Sequence, residues 1–305
     1  MDAQRELVRG LSWAVLAAVM TAFFMVPWKL AVQHGPESSV VLVMLTAAAL
    51  FNSAGSLGGA VLRRERPRLD RLALGVALVL SILTFLGNVA SVAAIARIGG
   101  PLLSLLQRFE VVVVALGAWA MLGERVDLRF WLGVAVAGTG LWVIAGEPGG
   151  GVLRADGILY GFASALAFGS MNIVIRKYAM AIDLVAVNAL RLWLAVGLWF
   201  ATEQRLPDTA TMNVELVAYA TLAAFSGPVC GRLSIMFALR HIEARLVVLC
   251  LLSSPLFTLI VSWWLLGHWP GGHSLWGGLL MLVGIAIPVV LHLRGGARPA
   301  AARAA

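Results

Sequence analysis

Ten stretches of roughly 20 residues run through this sequence with scarcely a charge in them, and that pattern leaves few folds open. Where there is no water, every backbone N–H and C=O must be satisfied by the chain itself. Such stretches cross a membrane as helices or as strands of a closed barrel. These runs lack the alternation of a barrel strand, and each is long enough for a helix to span the ~30 Å hydrocarbon core. Composition points the same way. The chain is 61% hydrophobic and 12% charged, where a soluble domain carries about 25% charged residues. A soluble globular protein is excluded. The spans are expected near 11–31, 39–62, 72–96, 101–122, 129–146, 156–176, 184–202, 213–239, 245–267 and 274–293. The opening MDAQRELVRG leads into the first run without a small-residue cleavage site, so that run reads as a retained span.

The second constraint is a repeat. At a single offset of 144 residues, ten positions between 87 and 140 recur identically, among them Gly87/Gly231, Trp119/Trp263, Leu122/Leu266, Gly123/Gly267, Gly133/Gly277 and Gly140/Gly284. Apolar composition alone does not produce a gap-free register that keeps both the LG pair and two glycines seven residues apart. A duplicated unit of about half the chain does, and internal duplication in a membrane protein is typical of secondary transporters. Five spans per unit is an odd number, so the two units must enter the membrane in opposite senses. The fold class expected is an all-α integral membrane protein of ten transmembrane helices arranged as two inverted five-helix repeats. Residues 1–150 hold the first repeat, 151–294 the second, and 295–305 a disordered cytoplasmic tail.

Basic residues set the orientation. With a cytoplasmic N-terminus, sixteen Lys and Arg fall in the inside segments and only Lys29, Arg97, Arg154 and Arg205 outside. By the positive-inside rule both termini face the cytoplasm, across the cell (inner) membrane. The net charge of +8 is then a topology signal, and no nucleic-acid partner is needed to explain it. The run RRERPR at 63–68 reads as a solvated stop-transfer loop, with contact to anionic lipid as the alternative. Cys230 and Cys250 lie inside apolar runs as small packing residues, and the five histidines (34, 241, 268, 273, 292) form no metal set. No cofactor is expected.

The stretch LLQRFEVVVVALGAWAMLGERVDLRFWLGVAVAGTGLWVIAG, from Leu105 to Gly146, resembles the signature of EamA-type carriers in the drug/metabolite transporter superfamily. The stretch LLSSPLFTLIVSWWLLGHWPGGHSLWGGLLMLVGIAI, from Leu251, resembles it again. The resemblance covers essentially the whole chain. It implies a ten-helix carrier of small metabolites or drug-like solutes, often exporting them, and leaves the substrate open. Two positions depart from the family pattern. Val111 stands where the family has proline, whereas the second copy keeps Pro255, and His268 stands opposite Glu124. On that basis only the ninth span is expected to bend at this point.

Four charges fall inside apolar runs: Arg108 and Glu110 in span 4, Arg191 in span 7 and Arg232 in span 8. Each lies about 10–14 Å deep at 1.5 Å per residue. Holding a charge there costs at least ~2.5–3.5 kcal/mol, so such residues face a bundle interior or a wet cavity. The competing reading is structural: snorkelling arginines, Arg191 above all because its helix start is near, or a purely structural ion pair. Residues 108 and 110 point about 200° apart, so they seek different partners. Glu110 is expected to meet Arg232 or Arg191, or else a substrate amine. A desolvated carboxylate costs far more than the neutral acid, which makes Glu110 the candidate for coupling to protons.

Gln107 shares a face with Ser104 and Arg108. Asn88 is the repeat partner of Arg232, which places two polar residues at one symmetry-related position and suggests a central cavity. Asn172 and Asn188 read as candidates for the site or as interhelical glue. Trp13, Trp119, Trp193 and Trp263 are expected to pack between helices or to line a site for flat ligands. Gly133/Gly140 and Gly277/Gly284 are expected to let helices approach closely.

Carrier is the leading reading, with a small-molecule substrate, the lipid bilayer and protons as partners. A membrane-embedded enzyme is the first rival, and no H-E-x-x-H, G-x-S-x-G or acid pair supports it. A non-transporting receptor or assembly protein is the second, and the interior charges argue against it.

Overall fold

The structure, a computed structural model, describes residues 2–63, 69–123, 128–145, 155–203 and 212–254, with isolated positions between 257 and 287. Among the described residues everything regular is helical. The helices are α1 (Asp2–Gln33), α2 (Glu37–Arg63), α3 (Arg71–Gln107), α4 (Glu110–Leu122), α5 (Leu128–Ala145), α6 (Ala155–Tyr178) and α7 (Leu184–Glu203). Then follow α8 (Val214–Ala224), a π-helical segment (Phe225–Gly231), α9 (Arg232–His241) and α10 (Ala244–Leu251). Six stretches among the described residues are helices long and apolar enough to cross a bilayer: Gln4–Gln33, Ser38–Leu62, Arg71–Ser91, Ala155–Tyr178, Leu184–Thr202 and Val214–His241.

Local chemistry sets several helix starts. Asp70 Oδ1 accepts from Ala73 N at 2.8 Å, and Asn213 Oδ1 from Leu216 N at 2.7 Å. Asp183 Oδ1 takes both Val185 N and Ala186 N, at 3.1 and 3.2 Å. Each satisfies backbone donors that the first helical turn leaves unpaired. At the other end of α4, Gly123 takes the left-handed conformation (φ 64°) that closes a helix most easily when no Cβ is present.

α3 is not a straight rod. Gln107 Nε2 donates to Ser91 Oγ at 3.1 Å, whereas sixteen residues of straight helix would hold them about 24 Å apart. The chain therefore doubles back between these residues, in the stretch that contains Gly99, Gly100 and Pro101. Its two arms carry what the sequence presents as spans 3 and 4, and Ala94 on one arm packs with Leu103 on the other.

The packing follows the repeat. α1 lies along α8, the π-helical segment and α9, and α3 lies along α6; α2 packs on α7. α4 packs on α6 and α10, and α1 also meets α10. Exchanging each helix for its counterpart 144 or so residues away turns the α1 contacts with α8, the π-helical segment and α9 into the α3–α6 contact and leaves α2–α7 unchanged. Two ionic contacts sit at corresponding helix ends, although only their basic members are exact repeat counterparts. Arg97 Nε donates to Asp156 Oδ2 at 2.8 Å and lies 4.8 Å from the centre of the Tyr160 ring. His241, 144 residues after Arg97, meets Glu6 Oε2, while Arg9 Nη1 lies 3.4 Å from Glu6 Oε1.

Small residues make the helix contacts. Ala14, Ala18 and Ala22, four residues apart on α1, are fully buried. Many large apolar side chains, among them Leu62, Trp119 and Leu159, face outward, as lipid allows and water would not. The tryptophans depart from expectation: Trp119 is 63% exposed and Trp193 41%. Both face outward, where contact with lipid tails suits them. Trp13 also lies at the surface, its ring 5.1 Å from that of Phe237. Trp263 falls outside the described residues. The glycine expectation fares better, because a Cβ at Gly284 would stand 2.4 Å from Ala137 N and 2.7 Å from Gly133 O. Spans 5 and 10 touch backbone to backbone there.

The expectation that only span 9 bends is overturned. In the first copy the helix breaks at Arg108–Phe109, with short turn bonds from Phe109 N to Leu106 O (3.0 Å) and Val112 N to Phe109 O (2.9 Å). In the second it breaks at Leu252–Ser253, with Leu252 N to Leu249 O (3.1 Å) and Ser253 N to Cys250 O (3.0 Å). The two breaks are 144 residues apart, and only the second has a proline after it. The reason is tertiary. Pro255 has no N–H to return to the carbonyl four residues back, and that carbonyl, Leu251 O, accepts from Arg108 Nη1 at 3.3 Å. One break thus supplies the donor for the other.

Candidate functional site

The interior charges converge on α6. Asn172, fully buried, donates through Nδ2 to Glu110 Oε1 and accepts through Oδ1 from Arg232 Nη1 at 2.9 Å. One side-chain amide thus joins a carboxylate at the start of α4 to a guanidinium at the start of α9. Glu110 keeps its expected electrostatic tie to Arg232, with Asn172 set between them. Arg108, Glu110 and Arg232 are half-buried, whereas the Asn172 between the last two is fully buried.

Next to it lies a second chain of bonds. Arg191 does not snorkel: it is 2% exposed. Its Nη1 donates to Thr84 Oγ1 at 2.8 Å and to Met171 Sδ at 3.3 Å, and its Nη2 to Asn188 Oδ1 at 2.7 Å. Asn188 Nδ2 donates in turn to Asn52 Oδ1 at 2.8 Å and, at 3.4 Å, to Pro228 O. Thr84 and Pro228 are repeat counterparts, so α7 reaches both members of the pair. Pro228 lies in the π-helical segment. A wider turn there accommodates a ring that an α-helix would press against the carbonyl four residues back.

Two candidates lie apart from the charges. Gln107 Nε2 reaches Ser91 Oγ and Ser164 Oγ, each at 3.1 Å, and pins the two arms of α3 to α6. Asn88 donates back to Thr84 O of its own helix at 2.7 Å. Asn88 and Arg232 share a repeat position but not a bonding pattern. The side chain of Ser104 lies outside the described residues. Thr84, Asn52, Met171 and the Leu251 carbonyl were missed by the sequence reading. Asn52 and Thr84 were visible as polar residues in apolar runs, but Met171 and a backbone carbonyl gave no signal. Among the described residues no group of His, Cys, Asp and Glu is placed to hold a metal.

Apolar outward faces, small residues at the helix contacts and interior charges at paired helix breaks define a multi-pass membrane protein of transporter type. The EamA-like transporter family matches residues 8–146 and again 155–290, and the chain belongs to that family. None of the curated proteins compared with it is significantly similar. A solved structure titled only as a crystal structure of a protein superposes with a TM-score of 0.77 over 96% of this chain and 99% of its own, at 15% identity. At that identity the likeness concerns the fold alone.

Proposed function

We propose that this chain is a secondary transporter that moves a small organic solute outward across the cytoplasmic membrane by alternating access. Its two halves, residues 1–150 and 151–294, are five-helix units of opposite orientation, ten crossings in all. The observation that carries the reading is the Glu110–Asn172–Arg232 chain. It joins charges from both halves at mid-depth, beside two facing helix breaks of the kind that build substrate sites in carriers. The symmetric packing and the paired ionic contacts support inversion. Arg97–Asp156 joins the end of one arm of α3 to the start of α6, and Glu6–His241 joins the start of α1 to the end of α9.

Uptake and counterflow in proteoliposomes with a panel of labelled metabolites, at two pH values, test the reading. A protein that moves none of them in either direction would sink it. Glu110→Gln keeps the side-chain shape and removes the titration. It is expected to bind substrate while the pH dependence of transport disappears; an unchanged pH profile would rule out Glu110 as the coupling group. A reporter fused after Ala305 should read as cytoplasmic. An extracytoplasmic signal would contradict the ten crossings and the inverted halves together.

A further inference from the structure

The interior charges do not balance. Among the described residues, Arg108, Arg191 and Arg232 stand inside the apolar spans against a single carboxylate, Glu110. Arg191 and Arg232 have no carboxylate within ion-pair distance among the described residues. Their partners are neutral: a hydroxyl, a thioether and two amide oxygens. Arginines elsewhere in the fold are used differently. Arg176 and Arg240, at the ends of α6 and α9, donate to the backbone carbonyls Leu239 O, Ala179 O and Ile182 O, as expected of arginines that tie helix ends together.

Geometry brings the two interior guanidiniums together. Arg191 donates to Met171 and Arg232 to Asn172, consecutive residues of α6, and the two cations are close enough to repel each other. Arg191 Nε is a buried donor with no hydrogen-bond partner. Leaving such a donor unpaired is costly, and an uncompensated cation in a low-dielectric interior is costlier. A planar fork of N–H groups matches an oxyanion better than any other ligand.

Resting on the carrier reading above, we propose that the transported solute bears an oxyanion, carboxylate or phosphate, that docks between Arg191 and Arg232. The bound anion balances the surplus charge, so the loaded carrier crosses its midpoint more nearly neutral than the empty one. Glu110, held off by Asn172, selects against a second negative charge on the solute near α4. An amine on the same solute would find Glu110 its natural partner.

The test uses the full chain in nanodiscs at fixed ionic strength, with benzoate and inorganic phosphate as oxyanion probes. Benzylamine and benzyl alcohol serve as cationic and neutral controls of similar shape to benzoate. Binding is read by calorimetry. At least one oxyanion should bind ten times or more tighter than benzylamine. Arg232→Gln should weaken that binding about tenfold, and Glu110→Gln should strengthen it about tenfold, because each changes one charge in a low-dielectric site. Misfolding cannot produce changes of opposite sign. Preference for benzylamine, absence of oxyanion binding, or oxyanion binding indifferent to both Arg191→Gln and Arg232→Gln overturns the proposal. Oxyanion binding without transport would count against the carrier reading alone. Transport of benzylamine in preference to either oxyanion by the parent protein would leave the carrier reading standing and overturn the oxyanion site.

Discussion

Asn172→Leu should cost this protein more than any other single exchange of a neutral side chain. Neutral interhelical hydrogen bonds in membranes average about 0.6 kcal/mol, which would make the change minor. The bonds at Asn172 are of another kind, since each partner is ionic: Glu110 loses a donor and Arg232 an acceptor. Hydrogen bonds to charged groups are worth roughly 1.5–3 kcal/mol each, and stranding two charges raises the cost further, toward about 3–5 kcal/mol. The unfolding midpoint in detergent should fall accordingly and transport should cease. Asn172→Gln keeps both a donor and an acceptor on one amide, so it should recover part of the lost stability. A Leu variant as stable and active as the parent would show that the amide links nothing of consequence.

Gly284→Ala is the second large effect, and it comes with an internal control. A methyl at 284 meets backbone on its first approach, Ala137 N at 2.4 Å and Gly133 O at 2.7 Å, with no flexible side chain to yield. Spans 5 and 10 must move apart, and overpacking of this kind costs about 1–3 kcal/mol or more. Gly138→Ala, on the same α5, has open space around the added methyl. It should be neutral or stabilising by up to ~1 kcal/mol through helix propensity. Equal effects of the two substitutions on the unfolding midpoint would contradict the close approach.

The helices were legible because the bilayer reduces the choice to one: an apolar run of sufficient length is a span. The repeat was legible because the glycines that let backbones meet cannot be exchanged for other apolar residues. Gly284 shows why, with Ala137 and Gly133 where its Cβ would be. The break at Arg108–Phe109 was not legible, since no proline marks it and the Leu251 carbonyl that Arg108 meets there lies 143 residues away. The doubling back of α3 had a signal in Gly99, Gly100 and Pro101, and the expected end of span 3 at 96 and start of span 4 at 101 bracket it. The site was half legible. Burial cost alone singles out Glu110, Arg108, Arg191 and Arg232, but not which amide stands between two of them. Asn172 and Asn188 look alike in sequence. In the structure one bridges opposite charges and the other belongs to the Arg191 chain. The outward tryptophans misled because depth along a helix says nothing about which side of it a ring occupies.

Arg97 and His241, which the repeat relates, tie corresponding helix ends through Asp156 and Glu6 yet answer to different chemistry. A guanidinium keeps its proton at any pH a cell encounters, whereas an imidazole attracts a carboxylate fully only once protonated. At the Glu6 end the fixed charge comes from Arg9, its Nη1 3.4 Å from Glu6 Oε1, and at the Asp156 end from Arg97 itself. Duplication left two like helix ends, and substitution gave each a different cation to close it.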